Sequence, residues 1–145
     1  MSNALKRDTM ELLIKHEGMR HYAYKDTEGH LTIGVGRNLD AIGISEEEAL
    51  LMLSSDYDRC VVAASKYSWY SKLDNKRKQV IISMIFNLGA SAFRDFKRMI
   101  GALEKLDFDK ASQEMLSSSW SAQVKKRAVE LSRMMKEGDV KPPET

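Results

Sequence analysis

Cysteine and long apolar runs are scarce in this 145-residue chain. The single cysteine, Cys60, excludes a disulfide within the chain, and its place on the apolar face of a predicted helix indicates a small core residue. No segment approaches the roughly 18 consecutive apolar residues of a membrane-spanning helix, and no signal peptide is visible at the start. We therefore expect synthesis in the cytoplasm, no export signal and no stable association with a membrane.

Excess charge of one sign is also lacking, because the formal net charge is only +2. Hydrophobic residues make up 43% of the chain, which is enough for a globular core. Residues 69–145 carry 15 Lys and Arg against 10 Asp and Glu. This basic half would suit an anionic polymer, and a solvated helical surface explains it equally well. Lys125–Arg127 are only three basic residues on a helix, so we expect no nucleic-acid partner.

The most informative pattern lies in residues 15–37. A predicted amphipathic helix ends at Gly18, because glycine tolerates the left-handed backbone that a helix terminus often needs. Tyr22 and Tyr24 then alternate with small or charged residues, which predicts a half-buried strand. Residues 26–29, with the sequence Asp-Thr-Glu-Gly, are typical of the turn of a hairpin.

The second arm of this hairpin carries apolar residues at alternate positions, with Thr32 on the opposite face; these are Leu31, Ile33 and Val35. Glu17 is therefore expected at a helix end, and Asp26 and Thr32 on the two arms of the hairpin. Two carboxylates and a hydroxyl on short, stiff elements suit glycoside hydrolysis. Spacing alone leaves open that Glu17 is a helix-end carboxylate, Asp26 a turn former and Thr32 an ordinary strand residue.

The run from His16 to Gly36, H-E-G-x-x-x-x-x-Y-x-D-T-E-G-x-x-T-I-G-x-G, resembles the active-site segment of the T-even-type phage lysozymes. These are muramidase endolysins of glycoside hydrolase family 24. The resemblance implies that Glu17 is the general acid and that Asp26 and Thr32 position a water. It implies no metal ion and no organic cofactor. The three histidines also lack the spacing of a helical metal pair.

Helical patterns follow the hairpin. Ser45 and Glu48 match a capping box, and the helix they begin runs to about Lys66. Asp74 is the expected cap of the next helix, whose residues 80–86 are apolar nearly all round and therefore predict a buried, central helix. Further helices are predicted over residues 92–105, 108–117 and 122–136, with Gly138 beyond the last one.

The predicted fold is α+β: a small β-hairpin lobe joined by a long helix to a larger all-helical lobe, in one lysozyme-like domain. The resemblance covers most of residues 10–130. The short connection after the hairpin indicates a small lobe without a third strand. The expected division is a hairpin lobe at 15–44, a connecting helix at 45–68, a helical lobe at 69–138 that includes the N-terminal helix 3–17, and a tail at 139–145.

The resemblance also implies side chains that contact the substrate, namely Phe86, Asn87 and Gln123. Phe86 could equally be a core residue, and Trp120 is expected in the core. Arg127, Arg37 and Asp56 are expected near the site in a structural role.

Three positions depart from the family pattern. Arg37 stands where the best-known relatives have histidine, Asn38 where they have leucine, and Met99 where serine is usual. None of them removes a proposed catalytic group. Because relatives place histidine and aspartate at the corresponding positions, we expect Arg37 to pair with Asp56 on the long helix.

The function implied is hydrolysis of the β-1,4 bond between N-acetylmuramic acid and N-acetylglucosamine in bacterial peptidoglycan, with inversion at the anomeric carbon. The alternatives are a non-catalytic peptidoglycan-binding domain, a lytic transglycosylase, and a basic helical nucleic-acid binder. As an endolysin, the protein is expected to be a monomer made in the host bacterial cytoplasm. It would reach the cell wall after membrane permeabilisation, for which it would need a holin-type pore.

Overall fold

Residues 2–139 are described by the computed structural model, and they form seven α-helices and a three-stranded antiparallel sheet. This confirms the predicted α+β class. In chain order the elements are α1 (Ser2–Glu17), β1 (Arg20–Lys25), β2 (Leu31–Gly34), β3 (Arg37–Asn38), α2 (Glu46–Ser65), α3 (Asn75–Leu88), α4 (Ala90–Phe93), α5 (Lys97–Glu104), α6 (Phe108–Leu116) and α7 (Ser119–Glu137). A single 3-10 turn, Tyr70–Lys72, precedes α3.

The chain divides into two compact units, Met1–Leu51 and Met52–Thr145, with the boundary inside α2. The first unit contains α1 and the sheet. The expected assignment of the N-terminal helix to the helical lobe stays a prediction. Of the predicted tail, only Asp139 lies within the described residues. No helix between residues 2 and 139 combines the length and apolar character that crossing a bilayer requires.

The sheet has the strand order β1-β2-β3. The third strand corrects the expectation of a two-stranded lobe, although it is only two residues long. It forms because Gly34 and Gly36 adopt positive φ angles of 69° and 65°, which let the chain reverse within three residues. Ile33 and Arg37 are then directly paired across β2 and β3.

Side chains on β1 do not alternate between buried and exposed as predicted. Tyr22 is 86% exposed, Tyr24 is partly buried, and the register of β1 against β2 shifts between Arg20 and Tyr24. A bulge of this kind breaks strict alternation between the faces of a strand. The most buried side chain of the sheet is polar: Thr32 on β2 is 3% exposed.

The core of the second unit is built around α3, as its apolar sequence predicted. Its buried residues are Val80, Ile81, Met84 and Ile85. Aromatic rings pack beside them in a connected series, from Tyr67 and Trp69 through Phe93 and Phe96 to Trp120.

The single cysteine belongs to this core. Cys60 on α2 is 8% exposed, which confirms the prediction of a core residue. Burial raises the pKa of its thiol above the ordinary value, as expected of a residue that packs rather than reacts.

Two predicted helix boundaries differ from the structure. The helix expected over 92–105 is interrupted because Phe96 has the non-helical angles φ −78° and ψ 58°, so that α4 and α5 are separate. The last helix begins at Ser119, three residues earlier than expected, because the Ser118 hydroxyl accepts a hydrogen bond from the Ser121 amide and caps it. It is kinked at Val124, whose angles of φ −117° and ψ 20° are not helical. Gly138 follows the last helix as predicted.

A polar cluster joins the start of α3 to the end of α7. Asp74 occupies the predicted N-cap position, but its carboxylate makes no capping bond to α3. It accepts hydrogen bonds from Arg77 Nη1 at 3.0 Å and from the Asp139 amide at 2.7 Å. Arg77 also donates to the carbonyls of Met135 and Lys136, at 2.7 and 2.8 Å. The cluster thus satisfies backbone carbonyls that the end of a helix leaves without partners.

Replacing Gly138 with alanine should destabilise this junction. Gly138 has a φ of +66°, and a methyl group there would lie 2.5 Å from Arg77 Nη1. We expect Gly138→Ala to lower the free energy of unfolding by about 1–3 kcal/mol in urea titrations followed by circular dichroism. The control is Gly101→Ala in α5, where a methyl group meets nothing within 4 Å and φ is not positive. That helix-interior change should raise stability by about 0.5–1 kcal/mol. Wild-type stability in Gly138→Ala would contradict the account of the junction.

Candidate active site

Glu17 is the last residue of α1. The helix ends there as predicted, because Gly18 turns into the left-handed region with φ +75° while its amide donates to the Ile14 carbonyl at 2.8 Å. Glu17 is exposed, and its side chain lies against the backbone of Gly36. The carboxyl group is therefore carried at a helix terminus, beside the reversal between β2 and β3.

Asp26 begins the turn between β1 and β2, as its sequence predicted. Its Oδ1 accepts backbone hydrogen bonds from Glu28 at 2.9 Å and from His30 at 2.8 Å, and the Gly29 amide donates to the Asp26 carbonyl at 2.9 Å. The hydrogen bond from the His30 amide, assisted by that from Glu28, lowers the pKa of Asp26 below its usual value although partial burial opposes the shift. Asp26 is thus held as an ionised carboxylate at neutral pH.

His30 connects Asp26 to Thr32 through its backbone. Its carbonyl accepts one hydrogen bond from the Asp26 amide at 2.9 Å and another from Thr32 Oγ1 at 2.9 Å. Because the hydroxyl proton of Thr32 is used in this way, its oxygen can serve a ligand only as an acceptor. Two of the three predicted catalytic residues are therefore joined by one peptide group.

This backbone role of His30 was not predicted from the sequence. No side-chain pattern could have revealed it, because the groups involved are the amide and carbonyl that every residue carries. Its imidazole lies beside two carboxylates of the turn, with Nδ1 3.5 Å from Asp26 Oδ2 and 3.7 Å from Glu28 Oε2. Among residues 2–139, no cluster of three or more His, Cys, Asp or Glu side chains could hold a metal ion.

The prediction that Arg37 pairs with Asp56 was wrong. Arg37 binds Glu48, with Nη1 donating to Oε1 at 2.6 Å and Nη2 contacting Oε2, and Nη1 also donates to the Gly43 carbonyl at 3.1 Å. Asp56, the predicted partner, is instead paired with Arg59 on its own helix. The physical reason is geometric: a planar guanidinium can engage both oxygens of a carboxylate, and Glu48 offers both of them to Arg37 at the start of β3.

Glu48 also completes the capping box that the sequence predicted. The Ser45 amide donates to Glu48 Oε1 at 2.8 Å, and the Glu48 amide donates to Ser45 Oγ at 3.1 Å. The hydrogen bond from Arg37, followed by that from the Ser45 amide, lowers the pKa of Glu48 to about 2. One carboxylate therefore links the start of α2 to β3.

The predicted substrate-binding residues lie in the second unit. Phe86 is 52% exposed, so it is a surface residue rather than a core residue, and it lines a pocket of about 370 Å³. Asn87 follows it, and its Oδ1 accepts a hydrogen bond from Trp120 Nε1 at 2.8 Å, which leaves its amide nitrogen as a donor. Trp120 is 3% exposed and is a core residue, as predicted. Gln123 and Arg127 are both exposed on α7.

The family model described as phage lysozyme matches residues 14–136 of the chain. Two similar proteins come from Dictyostelium discoideum. Probable T4-type lysozyme 2 is 26% identical over 90% of this chain and 95% of its own length. Probable T4-type lysozyme 1 is 28% identical over 81% of this chain and 87% of its own length. The pre-baseplate central spike protein Gp5 of Enterobacteria phage T4 is 26% identical over 90% of this chain but over only 28% of its own length.

The Arg37–Glu48 pair should make stability depend on pH in acid. Folding lowers the pKa of Glu48 from 4.5 to about 2, so the stabilisation is complete above about pH 4.5 and disappears as pH falls towards 2. We expect Glu48→Gln to be less stable than wild type at pH 7, with a difference that narrows steadily between pH 4.5 and 2. Urea titrations at several pH values measure this.

Glu47→Gln is the matched control for that comparison. Glu47 lies in the same first turn of α2, so it has the same relation to the helix dipole, and no ion pair of Glu47 occurs within the described residues. The free energy of unfolding of Glu47→Gln should differ little from that of wild type at every pH in this range. A Glu48→Gln difference that does not change with pH would show that the ion pair does not stabilise the unit.

Proposed function

The chain belongs to the phage lysozyme family, and from this membership we propose that it cleaves the β-1,4 bond between N-acetylmuramic acid and N-acetylglucosamine in bacterial peptidoglycan. It is a glycoside hydrolase of the lysozyme type. The observation that carries the finer proposal is the joining of Asp26 and Thr32 at the His30 carbonyl, in the same compact unit as Glu17. A water-holding pair in the same unit as a proton donor is what the proposed reaction requires.

In this mechanism Glu17 is the general acid. Its protonated carboxyl donates to the glycosidic oxygen while the bond between that oxygen and the anomeric carbon breaks, and the bonding electrons leave with the oxygen. Proton donation of this kind typically raises the rate of a reaction by a factor of about 10²–10⁴. The exposure of Glu17 in the structure leaves its carboxyl accessible to a polymeric substrate.

Asp26 and Thr32 hold the water that replaces the leaving group. Both act as acceptors, because Asp26 is ionised and the Thr32 hydroxyl proton is bound to His30. A water that donates one hydrogen to each keeps a lone pair free to attack the anomeric carbon. Its proton then passes to Asp26, whose negative charge also offsets the oxocarbenium-like charge of the transition state.

A lytic transglycosylase is the nearest alternative, since it needs the acid but no water-holding pair. The joining of Asp26 and Thr32 at the His30 carbonyl favours hydrolysis, because an internal cyclisation needs no held water. A non-catalytic wall-binding domain would have no use for the complete set of three residues.

The remaining parts of the proposal concern substrate contacts and access. Phe86, Asn87 and Gln123 are proposed to contact the sugar rings, through an apolar face and amide hydrogen bonds, and Arg127 to support the site. We further propose that the enzyme is a monomer that meets the wall after a holin-type pore has permeabilised the membrane.

Muropeptide mass spectrometry tests the reaction. Wild-type enzyme incubated with purified peptidoglycan should release fragments that have gained water and end in a reducing muramic acid. Glu17→Gln should lower the rate by about 10²–10⁴ without changing the circular dichroism spectrum, because an amide cannot protonate the leaving oxygen. Glu11→Gln, an exposed change on the same helix, should retain wild-type activity. Anhydro-muramic products would identify a transglycosylase, and binding without release would identify a binding domain.

The anomeric configuration of the first product tests the water-holding role of Asp26. Attack by a held water gives the α-anomer, whereas attack by Asp26 itself, followed by hydrolysis, gives the β-anomer. Inversion needs carboxyl groups about 6.5–9.5 Å apart, which leaves room for the water. Proton NMR of a soluble peptidoglycan fragment, recorded before mutarotation, should therefore show the α-anomer first. A β-anomer would make Asp26 a nucleophile.

A further inference from the structure

The Glu17 side chain lies against the backbone of Gly36, 19 residues further along the chain. A methyl group built on the Gly36 Cα would lie 3.0 Å from Glu17 Oε2 and 3.3 Å from both Cδ and Cγ. Three consecutive heavy atoms of the Glu17 side chain are thus in tight contact with that position, and a side chain at residue 36 would displace them by a few tenths of an ångström. The carboxyl group and its stem rest on the bare backbone of Gly36.

That backbone is held in place from both sides. On one side the β2–β3 pairing begins immediately, because Ile33 and Arg37 are opposite one another in the ladder. On the other side the Arg37 guanidinium is bound to Glu48 and to the Gly43 carbonyl. A group added at Gly36 would therefore displace the exposed, flexible Glu17 side chain more readily than the backbone itself.

We propose that Gly36 is a positioning residue for Glu17. Because Gly36 has no side chain, the Glu17 carboxyl can pack directly against its backbone, and this contact sets the direction of the carboxyl group. The proposal rests on the proposed role of Glu17 as the general acid. Proton donation requires the carboxyl within hydrogen-bond reach of the leaving oxygen, and a misplacement of about 1 Å can cost about 10²-fold in rate. A small displacement at Gly36 should therefore reduce turnover more than substrate binding.

The chain supplies a matched control two residues away. Gly34 has a φ of +69°, nearly equal to the +65° of Gly36, and both belong to the same reversal between β2 and β3. A methyl group on Gly34 meets nothing within 4 Å. Alanine at either position thus forces the same unfavourable left-handed backbone, and only alanine at position 36 also contacts Glu17.

The experiment compares Gly36→Ala with Gly34→Ala in the full chain, on a soluble peptidoglycan fragment and at a temperature where circular dichroism shows both to be folded. We expect kcat of Gly36→Ala to fall about 3- to 10-fold below that of Gly34→Ala, with the two KM values within about twofold. If either alanine variant fails to fold, Gly36→Asn and Gly34→Asn repeat the comparison, because asparagine adopts the left-handed region more readily.

A second readout separates positioning from general damage. In a Glu17→Gln background, Gly36→Ala should cause no further loss, because the group that it misplaces no longer donates a proton, whereas the effect of Gly34→Ala should be the same in both backgrounds. Equal losses of kcat in the two alanine variants, or an undiminished effect of Gly36→Ala beside Glu17→Gln, would overturn the proposal. A wild-type enzyme that releases no hydrolysed product would refute the proposed function itself, which is a different outcome.

Discussion

The double hydrogen bond accepted by the His30 carbonyl is the interaction on which the proposed water-binding pair depends. It draws the Asp26 amide and the Thr32 hydroxyl to one oxygen, while the amide of the same residue holds the Asp26 carboxylate. Two chemical consequences follow from these backbone contacts: Asp26 has a lowered pKa, and Thr32 can only accept. The imidazole of His30 adds a smaller lowering of the Asp26 pKa, whereas the contact with Thr32 uses the His30 backbone alone.

The position of Glu17 depends on other features, namely the end of α1 and the two left-handed glycines Gly18 and Gly36. Gly18 releases the chain from α1, and Gly36 leaves the space that the carboxyl group occupies. The Arg37–Glu48 pair then ties the end of the turn to the start of α2. An ion pair and a capping box that lie outside the catalytic set thus support the surface on which the proposed acid rests.

Much of this unit could be predicted because its structure is local. The helix end at Gly18, the turn that begins at Asp26 and the Ser45–Glu48 capping box each involve residues within about four positions of one another. The third strand was missed because it is two residues long and depends on the backbone angles of glycine, which a pattern of side chains does not reveal. The interruption at Phe96 was missed for the same reason, since the apolar pattern continues through it.

The sequence by itself determined the fold class, the family and the identity of the three proposed catalytic residues, because the motif that carries them is one contiguous run in which neighbours along the chain are neighbours in space. Only the tertiary structure decided which oppositely charged residues meet. Arg37 had carboxylates available at several distances along the chain, and it binds Glu48, whereas Asp56 binds Arg59 on its own helix. Charge attracts without regard to sequence order, so the partner is chosen by where folding of the backbone brings each carboxylate.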